Sequence, residues 1–418
     1  MDAVDFSLLS LISVCIILLM VGYFAHNRDI VNPISAFVVM ELTVTGILSA
    51  ASSWYVFNVF DVTEALLSDA IWIHLIYGLA VVVGYFCEPI HIPLKRLINF
   101  IYSNSIVLGA KRGVRITLIF GAVLAMLMLV LSGSDGIHWL TDPRYAYINL
   151  RAGYGQWWVL YQICIVLLLI RTLFGIDGVK NSYNKVGRSI VLFSGLMYFT
   201  GSKSAVLIVV IISFFYVHHT IRRLKIFELF ALVFLVFVGF LILLGEGSYA
   251  DIFNGFLRYF SDYVAVTALN IDQINIQGYT LGSASLSSLW YWVPRSLMID
   301  KPFEWGTTYL HGILFPGMAE QGHTPGALLW ITYYMDFGVI GVIVYGVFLG
   351  AFSRVVYYNF MLRRDASSFL LMIPFCFFIV PVSAGSSSLF IIMTLFLIIF
   401  DRGREFRMLS SGKLISKN

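Results

Sequence analysis

Residues 6 to 25 read FSLLSLISVCIILLMVGYFA, twenty positions without a charge. An α-helix needs about that length to cross a hydrocarbon core of ~30 Å, because it rises 1.5 Å per residue. The same texture recurs along the chain. Dividing the sequence at its charges and Gly/Pro clusters gives apolar segments near 6–25, 33–57, 69–87, 114–133, 156–174, 189–201, 203–218, 226–244, 338–357, 367–382 and 386–400. The expectation is an all-α polytopic integral membrane protein with about eleven spans, within a range of ten to twelve, forming one transmembrane helical domain over residues 1–418. The sixth and seventh segments are short for a bilayer. Only the turn Gly201-Ser202-Lys203-Ser204 separates them, so they read as a hairpin tucked into the bundle. The start MDAVDFS has no basic n-region, so the first span is expected to be retained.

Composition agrees. Of 418 residues 59% are hydrophobic and 12% charged, and the mean hydropathy is +0.87; a soluble domain carries about 25% charged residues. A soluble globular enzyme is excluded. The net charge of +4 is too small to point to nucleic acid, and its placement is more informative than its size. Cys15, Cys87, Cys164 and Cys376 all lie in apolar runs at spacings that fit neither a disulfide framework nor a zinc site. They read as packing residues.

Lys and Arg gather on the cytoplasmic side of membrane spans. Alternate loops here differ sharply: 21 of the 27 basic residues fall in one set, from Arg28 through Lys95, Arg171, Arg222 and Arg354 to the C-terminal tail. The other set holds Arg144, Arg151, Lys203, Arg258, Arg295 and Lys301 with most of the acids. This places the N-terminus outside and the C-terminus in the cytoplasm, for an odd number of spans. Two outer segments stand out, residues 134–155 and the long stretch 245–325, which exceeds what joining two helices requires. Within the second, Ile252, Phe256, Tyr259, Phe260, Tyr263 and Val266 recur at helical spacing, so Tyr249–Asn270 is expected as an amphipathic helix on the membrane surface.

Each outer Arg or Lys runs against the topological bias, and anion binding is the simplest reason for it. A guanidinium presents a planar fork of donors to phosphate oxygens and stays charged. Arg144 and Arg151 are seven apart, one face of a helix if the helix continues, and Asp142-Pro143 is a start signal for it. Arg258 lies on the expected surface helix, four residues before Asp262, a spacing that also suits a structural ion pair. WVPRSLMIDKPFEWGTTYLHG, residues 292–312, holds Arg295 and Lys301 between prolines. AEQGHTPGALLWITYYMDFGVIG, residues 319–341, sets Glu320 and His323 at the mouth of an apolar run. His323 is the candidate base, because imidazole titrates near neutrality and Glu320 stands three residues away to orient it. For each of these residues a solvated loop charge or a helix cap is the bland alternative. Glu41, an acid inside an apolar run, reads either as a proton-relay site or as a packing residue.

The chain has no GxxxxGK[ST], HExxH, DxD or nucleophile elbow. It therefore carries no ATPase signature and no recognisable metal or cofactor site, and none is expected. A substrate would arrive already activated.

Several stretches together resemble the Wzy-type O-antigen or oligosaccharide repeat unit polymerases, including enterobacterial common antigen polymerase-like proteins. They are the outer Arg144 or Arg151 after the fourth span, FTGSKSAVLIVVIISF with Lys203 where the family more often has Arg, Arg258, WVPRSLMIDKP and TPGALLWITYYMDFGVIG. His323 is similar to the histidine of the His-Asn motif in the related O-antigen ligases, with Thr324 in place of Asn.

The resemblance implies the O-antigen ligase/polymerase glycosyltransferase bundle, with its large periplasmic loop, in the bacterial inner membrane and with its site facing the periplasm. Donor and acceptor would be glycans on undecaprenyl diphosphate, and membrane lipids and a chain-length regulator of the polysaccharide co-polymerase type would be the partners. In that reading His323 or Glu320 takes the proton of the attacking hydroxyl, and Arg144, Arg151, Lys203, Arg258, Arg295 and Lys301 hold the diphosphate. The alternatives are an O-antigen ligase-like lipid-linked glycosyltransferase and a lipid-linked sugar flippase or secondary transporter.

Overall fold

The computed structural model describes residues 2–29, 31–56, 60–103, 111–150, 154–175, 182–225, 228, 249–287, 307–317, 326–377 and 393–394. Among the described residues there is no strand. In chain order the helices are α1 (Ala3–Ala25), α2 (Pro33–Val56), α3 (Glu64–Phe86), α4 (Glu88–Ser103), α5 (Lys111–Val130), α6 (His138–Thr141), α7 (Pro143–Asn149) and α8 (Gly155–Leu173). They continue with α9 (Ser182–Tyr198), α10 (Lys203–Tyr216), α11 (Tyr249–Gln277), α12 (Ser283–Ser287), α13 (Thr307–Leu314), α14 (Ile331–Arg363) and α15 (Ala366–Phe377).

Six are long and apolar enough to cross a membrane: α1, α2, α3, Gly113–Val130 within α5, α8 and α14. The protein is a polytopic helical membrane protein. The segments expected near 189–201, 203–218 and 367–382 form the shorter helices α9, α10 and α15, the last described to residue 377. The segment near 226–244 lies outside the described residues except for Glu228, and so does the one near 386–400 apart from 393–394. Large apolar side chains such as Phe6, Ile17, Phe24, Phe120 and Val191 are exposed, as lipid-facing residues must be.

The chain forms two compact units. The first comprises Met1–Lys95, Leu224–Tyr358 and Met372–Ser388. Here Asn32 caps α2, its side-chain oxygen accepting the Ser35 N–H at 2.9 Å, and Pro33 takes the first helical position. Two stretches of α2, Val38–Leu48 and Ser52–Val56, are wound as π-helix. The wider turns carry Glu41, which is buried. α3 and α14 approach backbone to backbone through small residues: a methyl group at Gly350 would stand 1.9 Å from Val81 O, and one at Gly84 2.0 Å from Val347 O. Gly346 and Gly350 are four apart, the GxxxG spacing that lets membrane helices touch. Between them and α2 sits a buried polar pair. The Trp330 indole N–H, a pure donor, reaches His74 Nδ1 at 2.9 Å, so the His74 proton lies on Nε2, which donates to Glu41 O at 3.1 Å. Both ring nitrogens of His74 are thereby used in holding α2, α3 and the start of α14 together.

α11 is present but longer than expected. Its residues Val264–Ala268, Ile271 and Ile274 are buried, packed against α2 and α3. Of the stripe expected to face the membrane surface, Val266 is buried in protein and Phe260 and Tyr263 are half-buried, while the side chains of Ile252, Phe256 and Tyr259 lie outside the described residues. Periodicity alone does not separate the two, since lipid and protein both want an apolar stripe.

The second unit comprises Arg96–Arg223, Asn359–Leu371 and Leu389–Asn418. α5 and α8 run side by side, with Gly121 against Cys164. α9 and α10 form the hairpin anticipated around Gly201. At one end Trp139, Leu129 and Ala146 are wholly buried, surrounded by Tyr147, Trp157 and Trp158.

Candidate functional site

The chemistry-bearing residues that the structure joins lie at that end of the second unit. α7 begins as its sequence dictates: the Asp142 carboxylate accepts the Tyr145 N–H at 3.1 Å and Pro143 occupies the first position. Arg144 follows, exposed to the surroundings. A cation in the first turn opposes the helix dipole, so helix stability does not explain its presence.

The α9–α10 turn comes to meet it. Gly201 has φ +65, in the left-handed region that favours glycine, and a methyl group there would stand 1.9 Å from Pro143 O. The turn and the first turn of α7 therefore touch through their backbones. Around this contact the Trp158 indole N–H donates to Thr200 O at 2.9 Å, the Tyr161 hydroxyl donates to Leu196 O at 2.8 Å, and the Thr200 hydroxyl closes onto Met197 O at 2.6 Å. Arg144 sits over the Tyr147 ring at 5.5 Å and donates one N–H to Gly201 O at 3.4 Å.

Immediately beyond, Lys203 opens the 14-residue helix α10. The leading N–H groups of any helix lack intrahelical acceptors, and they face the same way as the positive end of its dipole. An exposed guanidinium beside such a terminus is a pair of donors suited to phosphate oxygens. The side chain of Lys203 lies outside the described residues, so the assignment rests on its backbone position.

Of the residues singled out from sequence, the structure brings together Arg144 and the turn that begins at Gly201 and ends at Lys203. Arg258 stands on α11 in the first unit, its side chain outside the described residues. Arg151, Arg295, Lys301, Glu320 and His323 lie outside the described residues. One expectation is corrected: α7 ends at Asn149, with the Leu150 N–H closing onto Ala146 O, so a continuous helix does not carry both Arg144 and Arg151 on one face. Sequence reading passed over Trp158 and Tyr161, which fasten the turn. Their signal was only their polar tips in an otherwise apolar span. It also passed over Asp336, an acid inside an apolar run just like Glu41.

No family model matches the chain, and no solved structure matches it. It is 24% identical over 297 residues to the O-antigen polymerase of Salmonella typhimurium, covering 68% of this chain and 70% of that protein. The O-antigen polymerase of Salmonella typhi matches to the same extent. The resemblance read from scattered motifs is thus matched by similarity to O-antigen polymerases running over two thirds of the sequence.

Proposed function

We propose that this protein polymerises undecaprenyl-diphosphate-linked oligosaccharide repeat units into O-antigen or a related surface polysaccharide, as a metal-independent glycosyltransferase at the periplasmic face of the inner membrane. The supporting observation is the junction of Arg144 with Gly201, 57 residues away and two before Lys203. It sets an exposed guanidinium beside a helix N-terminus. The similarity to curated O-antigen polymerases supports the substrate class.

In this reading a sugar hydroxyl of the acceptor attacks the anomeric carbon of the donor. Its proton passes to His323 or Glu320 as the new glycosidic bond forms. The bond from the anomeric carbon to the lipid diphosphate breaks, and the departing diphosphate takes the electron pair. Arg144 and the α10 terminus meet that developing charge with Lys203 and Arg151, which is where preorganised donors lower a barrier most, and Arg258, Arg295 and Lys301 are the further candidates for holding the diphosphate. Chain length would be set with a co-polymerase partner, and the C-terminus would face the cytoplasm.

The test is purified protein in lipid nanodiscs with synthetic undecaprenyl diphosphate repeat units, EDTA and no nucleotide, resolved as a ladder on a gel. A ladder is expected, reduced on the order of 10²-fold in Arg144→Ala, as when one charge-stabilising donor is removed. His323→Ala and Glu320→Gln distinguish the two candidate bases. Absence of a ladder with well-folded protein, together with transfer to a core-lipid acceptor, would move the assignment to a ligase.

A further inference from the structure

We infer that Asp336 and Thr267 are positioning residues that set the rotation and register of α11, the helix bearing Arg258, against the start of α14. The inference rests on the polymerase reading above.

Asp336 has 0% of its surface exposed and stands at the interruption of α14, where Phe337 and Gly338 leave helical geometry and Gly338 adopts φ +61. A carboxylate buried in a span needs donors or a cation. Five donors from four residues of the segment 280–285 fill its acceptor capacity. Oδ1 accepts the Thr280 hydroxyl and the N–H groups of Gly282 and Ala284, both at 3.0 Å. Oδ2 accepts the Ser285 N–H at 2.9 Å and the Ser285 hydroxyl. The same segment gives two further N–H groups to α14, Thr280 to Met335 O at 3.0 Å and Leu281 to Asp336 O at 3.2 Å. To wrap the carboxylate, the chain leaving α11 turns left-handed at Gly278, Leu281 and Gly282. Leu281, with φ +50, is a residue that avoids this region unless its surroundings over-determine it.

Thr267 makes the second tether, ten residues before the end of α11. Its hydroxyl accepts the Leu328 N–H at 2.8 Å and donates to Tyr263 O at 2.7 Å. Gly326 lies against the Tyr263 ring, where a methyl group would come within 2.9 Å. A third bond, Val264 N–H to Ser49 Oγ at 2.9 Å, joins the same face of α11 to α2.

Apolar burial of Val264–Ala268, Ile271 and Ile274 holds α11 in place, but it is non-directional and tolerates sliding and rotation. Hydrogen bonds are directional and specify one phase. A helix turns 100° per residue, so a one-residue slip at Thr267 carries Arg258, two and a half turns away, to a different face. Loss of a single one of these bonds is therefore expected to degrade turnover in protein that still folds.

The experiment uses full-length protein in nanodiscs as wild type, Thr267→Val, Thr267→Ser, Ser285→Ala and Asp336→Asn. It reads kcat and KM for the lipid-linked donor, thermal unfolding, and hydrogen exchange at the amides of Gly282, Ala284, Ser285 and Leu328. Ser285→Ala is expected to unfold close to wild type, and Thr267→Val, which strands the Leu328 N–H, at a modestly lower temperature, while kcat falls about tenfold in both. Thr267→Val is also expected to lose protection at Leu328. Thr267→Ser should restore both kcat and protection. Asp336→Asn should lose protection at Ser285, since its amide nitrogen cannot accept. Wild-type kcat and KM in folded Thr267→Val and Ser285→Ala would overturn the positioning inference and leave the polymerase reading standing. A wild-type protein that shows these amides protected but makes no ladder would overturn the polymerase reading, and the positioning inference with it.

Discussion

Asp336 and Arg144 are both charges at helix ends in an apolar protein, and they are used in opposite ways. Asp336 is sealed from its surroundings, and both its oxygens are taken by donors from residues 280–285. Arg144 is exposed and, among the described residues, donates one long hydrogen bond to Gly201 O. A guanidinium has five N–H donors, so most of its capacity remains for another molecule. A charge whose partners are all internal holds a fold. One presented with unused donors is available to a ligand. Arg354 stands between the two: half-buried, it donates to Tyr85 O at 3.2 Å and lies over the rings of Tyr85 and Tyr358 at 5.5 and 5.2 Å.

The comparison breaks most visibly if Asp336→Ala folds normally. Removing the carboxylate leaves buried donors without an acceptor, at about 1–3 kcal/mol for each one stranded. The expected outcome is a thermal unfolding temperature lowered sharply, or no monodisperse protein in size-exclusion chromatography. Gly201→Ala comes next. Its methyl group meets Pro143 O and its backbone sits in the left-handed region, so a cost of about 1–3 kcal/mol is expected from strain alone. Polymer synthesis should fall with it, because the turn moves away from Arg144.

Arg144→Ala should leave stability within about 0.5 kcal/mol, as surface substitutions do, while ladder formation collapses. Arg144→Lys sharpens the point. It keeps the charge and loses the planar fork, so activity between that of wild type and Ala is expected at unchanged unfolding temperature. A stability loss in Arg144→Ala comparable to that of Asp336→Ala would erase the distinction.

The smallest effect concerns His26, half-buried beside Arg354, its Nε2 2.9 Å from the Tyr85 hydroxyl oxygen. Burial first, and the Arg354 guanidinium second, hold the His26 imidazole below its usual range, with Asp29 opposing. Because the folded value is depressed, its contribution to stability is complete above the ordinary histidine range and is lost as pH falls through the lower, folded value. Unfolding temperature should therefore drop on acidification from about pH 7.5 to 5.5, and His26→Asn should flatten that slope; an identical slope in the variant would remove His26 as its origin.

Much of the helical framework was readable beforehand. The bounds of α1, α2 and α8 agree with the apolar segments to within a few residues, and the Asp142-Pro143 start of α7 and the α9–α10 hairpin follow from cap and turn chemistry. The extent of α7 was not, since nothing in YINLRAG announces a stop at Asn149. Nor was the burial of α11, whose stripe serves lipid or protein equally. The site was readable only in part. Arg144 and Lys203 stood out because they oppose the topological bias, whereas Asp336 and Glu41 look alike until their neighbours are known.

The chain by itself determined that this is a membrane-embedded helical protein and which positions carry charge. A long apolar segment has one local way to satisfy its backbone in lipid, and that solution needs no distant partner. What only the tertiary structure decided is which charges are spent and which are left over. Gly201 meets Pro143 and Asp336 meets residues 280–285 across more than fifty positions of sequence, and whether a donor or acceptor is already satisfied depends on such encounters rather than on the residue's own neighbours.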